Sequence, residues 1–273
     1  MNGIIIGCGY VGTAVAKRWK QQGITVTATT THAVRLSELE PIADRAIVLN
    51  STDQAALQSA LIDQQIVLLS VGAPNAEAYK ETYLHTAKTL VKVLEQSPAV
   101  QQVIYTGSYA VYGDQQGNWV IEETPVKPAN CNGEILVATE QVLLTAANSN
   151  LKVCLLRLGG IYGPGRELEK IFRRAAGTTR PGNGSEPSNW VHLDDIVGAI
   201  EFAHQHQLNG IYNLVQTVPL TTGELLARVC AAHNLASVQW DASQSSTRPY
   251  NARVSNEKLR AAGYQFVYPE IKI

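Results

Sequence analysis

The sequence predicts an α/β fold, a doubly wound parallel sheet with a small C-terminal region, and three observations carry that reading. Short apolar runs alternate with longer segments of helical period along the chain. The runs are apolar throughout rather than every second residue, as in strands covered on both faces. The first run leads into a glycine-rich loop that opens a helix.

In chain order, the strands are expected at Gly3–Ile6, Ile24–Thr29, Ala46–Leu49, Ile66–Ser70, Gln102–Thr106, Lys152–Arg157 and Gly210–Leu214. Helices are expected between them at Tyr10–Gln22, Ala33–Glu40, Asp53–Ile62, Ala76–Gln96, Gly133–Ala147 and Leu193–His206. Short connections between alternating elements mean a doubly wound sheet. The stretch Gly159 to Asn189 departs from this rhythm. Glycines 159, 160, 163, 165, 177, 182 and 184, with Pro164, Pro181 and Pro187, make it loop-rich. Such an excursion is expected where a chain leaves its sheet to build a substrate site. A second excursion follows Leu214 and holds a helix at Thr222–His233. The expected division is a nucleotide domain over 1–158, completed by about 190–215, and a substrate-binding region from 159–189 and 216–273.

The chain has 273 residues, 45% of them hydrophobic and 16% charged. That length allows one large α/β unit or one domain with an annex, with a core that needs no disulfide or metal staple. Twenty-two Lys and Arg balance 23 Asp and Glu for a net charge of −1, and no basic run stands out. A nucleic-acid or polyanionic membrane partner is not expected. Cys8, Cys131, Cys154 and Cys230 form no C-x-x-C pair, which fits a reducing compartment and gives no metal site. The apolar runs fall far short of the ~20 residues of a membrane helix. The first begins at residue 3, which leaves no room for a cleavable leader. The expected location is the cytoplasm.

Gly7-Cys8-Gly9-Tyr10-Val11-Gly12 reads G-x-G-x-x-G after a strand and at the opening of a helix, the context that a Rossmann-type dinucleotide site requires. Gly7 permits the tight turn, Gly9 lets the backbone approach a pyrophosphate, and Gly12 lets the helix pack closely. The pyrophosphate would lie at the positive end of the Tyr10–Gln22 helix. An NAD site usually has a carboxylate at the end of the second strand for the ribose 2′-OH. This chain has Thr29, Thr30 and Thr31 there, and Arg35 soon after. Hydroxyls and a guanidinium suit a 2′-phosphate, so NADP is favoured over NAD; capping and solvation are the other roles open to each of these residues.

Later segments carry a resemblance. Tyr105-Thr106-Gly107-Ser108-Tyr109-Ala110-Val111-Tyr112-Gly113, Arg157 to Arg166, Asn189 to Ile196, and Thr247-Arg248-Pro249-Tyr250 with Val254 to Leu259 occur in one order. Together they resemble the extended short-chain dehydrogenases/reductases, the NAD-dependent epimerase/dehydratase family. The resemblance makes Ser108 the hydroxyl that bonds the reacting carbonyl or hydroxyl. It sets Asn50 where an Asp commonly meets the adenine amine, and Ser70, Val71 and Gly72 against the cofactor. It sets Gly160 and Ile161 near the nicotinamide, and makes His192 structural. It also implies dimerisation through the Ala76–Gln96 and Gly133–Ala147 helices. Arg166 and Arg248 are candidates for an anionic substrate group, each with a structural role as the alternative.

One departure weighs against these matches. The family's catalytic Tyr-x-x-x-Lys pair falls, by alignment of Pro125, Pro128 and Glu140, on Asn132-Gly133-Glu134-Ile135-Leu136. Neither Asn132 nor Leu136 transfers a proton or lowers a neighbouring pKa. The chain thus resembles the atypical branch that keeps the nucleotide fold and loses the pair. Two functions stay open: an NADP-dependent oxidoreductase or epimerase-like enzyme on a small or sugar-like substrate, or a non-catalytic NADP(H) sensor. For the enzyme, Tyr109 and Tyr112 beside Ser108 are candidate phenols, with aromatic packing as their other role.

Overall fold

Seven apolar runs become the seven strands of one sheet. The computed structural model describes residues 1–273. The first five strands are β1 (Asn2–Ile6), β2 (Thr25–Thr30), β3 (Arg45–Val48), β4 (Ile66–Leu69) and β5 (Gln102–Ser108). From edge to edge the order is Gly210–Leu214, Lys152–Leu158, β5, β4, β1, β2, β3. The registered pairs are parallel: Gly3 of β1 lies opposite Val26 of β2 and Ile66 of β4, and Leu69 opposite Tyr105. Strand order reverses at β1, so the crevice past the carboxyl ends of β1 and β4 is the topological switch point, where such sheets bind ligands.

Residue contacts divide the chain into two units. The first is Met1–Ser108, Cys131–Arg157 and Val197–Tyr212; the second is Tyr109–Asn130, Leu158–Ile196 and Asn213–Ile273. In the first unit, Ile4, Ile6, Val67, Leu69, Val103 and Leu155 bury against Leu57, Leu90 and Leu143. These last three come from α3 (Gln54–Ala60), α4 (Thr86–Leu94) and α5 (Cys131–Leu144), which follow α1 (Tyr10–Gln21) and α2 (Leu36–Leu39) along the chain. On α1, Trp19 lies over Gly3, whose Cβ would come 3.0 Å from the indole. Each such large side chain stabilises the fold by ~1.5–3 kcal/mol on full burial.

The helices follow local chemistry more closely than period alone foretells. Asp53 caps α3 by accepting from the Ala56 amide at 3.0 Å. The expected Ala33–Glu40 helix is broken into a 3₁₀ turn at Ala33–Arg35, the single turn of α2, and a 3₁₀ turn at Glu40–Ile42. Pro41, with no N–H and a ring that restricts the preceding residue, ends it. The expected Ala76–Gln96 helix carries a π-helical turn at Glu81–His85 before α4, a rare geometry enriched at functional sites.

The second unit holds strands that the sequence reading leaves as loops. Asp114–Val120 pairs in parallel with Asn251–Val254, and Gly160–Tyr162 with Trp190–His192. Thr179–Pro181 pairs in parallel with Gln239–Asp241, and Pro187–Ser188 antiparallel with Leu220–Thr221. A small core of Tyr162, Leu168, Leu220, Leu225 and Val229 sits among them. The helix Thr222–Ala232 opens with a capping box between Thr221 and Glu224. Asp195, fully buried, accepts from the Val267 and Tyr268 amides at 2.7 and 3.0 Å and fixes the C-terminal segment. His192 is buried in this unit. Its ring lies 4.0 Å from that of Tyr268, and its Nδ1 accepts from the Asp194 amide.

Candidate nucleotide-binding site

The glycine loop is held from three sides. The Cys8 amide donates to the Thr29 carbonyl at 2.9 Å and the Gly7 amide to the Thr29 hydroxyl at 3.2 Å. The Cys8 carbonyl accepts from Arg35 Nη1 at 2.8 Å. Gly7 has φ +93°, and a Cβ there would stand 2.6 Å from the Ser70 carbonyl. A Cβ at Gly12 would stand 2.5 Å from the Gly7 carbonyl, so only glycine closes the turn onto α1. At Gly9 and Gly72 a Cβ would meet nothing within 4 Å. Their backbone is open to a ligand.

That opening is a cavity of about 490 Å³ within the first unit. The structure brings ten sequence candidates to its wall: Gly7, Gly9, Thr29, Thr30, Thr31, Arg35, Asn50, Ser70, Val71 and Gly72. Tyr10, Val11 and Gly12 form the first turn of α1, with Val11 and Gly12 buried. No side chain caps that helix and no acid stands in its first turn, so its positive end is left for an anion. No Asp or Glu lines the cavity at the end of β2, and the carboxylate nearest Arg35 is Glu38, paired to its Nε at 3.0 Å. Thr52, Ala78, Glu81 and Thr82 also line the wall. Sequence reasoning did not single these out, since no motif marks the π turn that carries Glu81.

Ser108 ends β5, half-buried, and is the last residue of the first unit's opening segment. Beside it, Gly107 is packed by Tyr105 and by the Glu140 carboxylate, whose Oε1 would be 3.5 Å from a Cβ there. Glu140 and Arg157 form a buried fork, with Nη2 to Oε2 at 2.7 Å and Nε to Oε1 at 3.0 Å. Burial pushes the Glu140 carboxyl up, and the guanidinium pulls it back. At the start of α5, Asn132 is half-buried and Leu136 is only 3% exposed, a core side chain with no charge to offer. Around the π turn the Tyr83 hydroxyl bonds the Ala73 amide and the Tyr79 phenol, the two rings lying 4.6 Å apart. The Tyr105 hydroxyl is buried with no hydrogen-bond partner. A Tyr-x-x-x-Tyr spacing at 79 and 83, one helical turn apart, was the legible signal for this pair.

In the second unit, the Tyr112 ring is fully buried and its hydroxyl meets the Ile121 carbonyl and Asn213 Oδ1 at 3.0 and 2.8 Å. Tyr109 is nearly buried, edge-on to Tyr250, and its hydroxyl accepts from Arg248 Nη2 at 3.4 Å. Arg248 also donates to the Pro187 carbonyl and to the Thr222 hydroxyl. Arg166 is exposed, in a tight turn closed by its amide on the Gly163 carbonyl.

Residues 4–214 match the sequence model of the NAD dependent epimerase/dehydratase family. The chain belongs to that family. Among curated relatives of similar sequence, Protein YeeZ of Escherichia coli K12 is 28% identical over 278 residues, covering 97% of this chain and 96% of its own. A 3-diazoavenalumate denitrifying reductase of a Streptomyces species is 25% identical over 236 residues, covering 80% of this chain and 76% of its own. The Thermus thermophilus UDP-glucose 4-epimerase, solved as a complex with NAD, superposes with a TM-score of 0.81 at 20% identity. That match covers 100% of this chain and 95% of the epimerase, and it shows the shared Rossmann fold. No helix of the epimerase/dehydratase chain is long and apolar enough to cross a membrane.

The cavity also sets cysteine chemistry. Burial pushes the Cys8 thiol up to about 11, whereas Cys131 is exposed. Only a thiolate reacts readily. Under native conditions at neutral pH, a thiol reagent is expected to label Cys131 alone in a fast phase, and Cys131→Ser to abolish that phase. Fast labelling of Cys8, read by mass spectrometry, would contradict this environment.

Proposed function

We propose that the protein is an NADP(H)-dependent oxidoreductase of the epimerase/dehydratase family that acts on a small or sugar-like substrate without the family's Tyr-Lys pair. One observation supports this above others: a single cavity gathers the glycine loop, the uncapped end of α1, the β2 threonines and Arg35. The open backbone at Gly9 and Gly72 fits a pyrophosphate and the ring beyond it. A dinucleotide bound there would supply hydride transfer. The α1 amides would hold its pyrophosphate, and Asn50 with the Ser70–Gly72 segment would flank its base and sugar.

Ser108, on the rigid end of β5, is assigned the hydrogen bond to the substrate's reacting oxygen. Of the two candidate phenols, Tyr109 is favoured for the proton, because the Tyr112 hydroxyl is committed to Ile121 and Asn213. Arg248 is favoured over Arg166 for an anionic substrate group. Its guanidinium is held among polar partners, ready for a phosphate or carboxylate. The non-catalytic alternative rests on Asn132 and Leu136. Cofactor absorbance across a panel of sugars, nucleotide sugars and small ketones decides it, turnover of none of them favouring the sensor.

Specificity for NADP depends on Arg35, part-exposed on the cavity wall. Calorimetry is expected to give a lower Kd for NADPH than for NADH. Arg35→Ala should weaken NADPH by about tenfold or more, the scale of a lost charge-assisted contact, and NADH far less. Tighter binding of NADH by the unaltered protein would overturn the preference.

A further inference from the structure

A dinucleotide in this cavity presents the exocyclic amine of its adenine, a hydrogen-bond donor that needs an acceptor. Asn50 is poorly free for that task. Its Oδ1 already accepts from the Thr52 amide at 3.2 Å and the Thr52 hydroxyl at 3.0 Å. A carbonyl oxygen has two lone pairs, so the NH₂ donor is what Asn50 retains for a ligand.

Glu81 lines the same cavity from the π turn. Its carboxylate is bonded by the His85 ring one turn on. That bond is the largest cause holding the carboxyl below the usual carboxylate range, and it fixes an ionised acceptor on the wall that Asn50 shares. Asn50 therefore offers the cavity a donor and Glu81 an acceptor.

We propose that Glu81 is the purine-selecting residue of this cavity, its carboxylate accepting from the exocyclic amine of adenine while the Asn50 amide donates to N7, an acceptor that adenine and hypoxanthine share. The inference rests on the dinucleotide reading given above. Hypoxanthine replaces that amine with a carbonyl, so the deamino dinucleotide would set oxygen against carboxylate.

The test is calorimetric, with NADPH and its hypoxanthine analogue as the two probes. The unaltered protein is expected to bind NADPH at least about tenfold more tightly, the scale of one hydrogen bond to a charged group. Glu81→Ala should shrink that ratio to within about threefold, mainly by weakening NADPH. Glu81→Gln, whose amide donates to the hypoxanthine carbonyl, should shift the ratio further toward the analogue. Equal binding of both probes by the unaltered protein, or discrimination retained in Glu81→Ala, overturns the assignment of Glu81 alone. Binding of neither probe overturns the dinucleotide site and this inference with it.

Discussion

Glu140→Ala is expected to destabilise the fold by about 3–5 kcal/mol, since it removes the carboxylate that faces the buried Arg157 guanidinium. Both side chains of the pair are only 4% exposed, so water cannot take the partner's place. A buried ion pair adds little net stability over well-packed apolar side chains. Replacing both members with apolar side chains, as in Glu140→Leu with Arg157→Met, should recover much of the loss. The pair braces Gly107 at the end of β5, where the carboxylate closes the space beside it. The double variant is therefore expected to fold well yet position Ser108 less sharply. Urea unfolding midpoints measure the first effect, and a single variant costing under about 1 kcal/mol would show the guanidinium re-solvated instead.

Ser108→Ala is expected to lower turnover by ~10²–10³, or ~2.7–4 kcal/mol, because it removes one donor to the developing oxyanion. The binding constant for the dinucleotide should stay within about twofold, since the lost bond serves the substrate. Asn132→Ala should leave turnover nearly unchanged, as a carboxamide moves no proton. Steady-state kinetics on the first substrate found to turn over checks both. Intact activity in Ser108→Ala alongside loss in Asn132→Ala would reverse the roles of the two positions.

The parallel sheet and the glycine loop were legible because they rest on strong local signals. Runs such as Ile66–Leu69 are apolar on both faces, as strands of a parallel sheet covered on both sides are. Gly7 and Gly12 have contacts that no other residue tolerates, so their spacing reads directly as geometry. The second unit was less legible for physical reasons. Asp114–Val120 is mostly polar and carries Gly117 at φ +74°, so its pairing with Asn251–Val254 leaves no apolar period. Strands of two or three residues, such as Pro187–Ser188, are too short for a period at all. Glu81 went unremarked because a π turn shifts the helical register that a period of 3.6 assumes. The structure also separates the two tyrosines that the sequence offered together, one bound into a buried network, the other facing an arginine.

The proposed activity requires that the cavity beyond β1 and β4 take a dinucleotide. Gly9→Val tests it most directly, because a Cβ at Gly9 meets no protein atom within 4 Å and the variant should fold normally. Titration by calorimetry should give saturable NADPH binding to the unaltered protein and at least about tenfold weaker binding to Gly9→Val, or ~1.4 kcal/mol or more. Matching thermal melts without ligand would confirm that the fold is unchanged. NADPH affinity that is the same in both proteins, or absent from the unaltered one, would contradict the site.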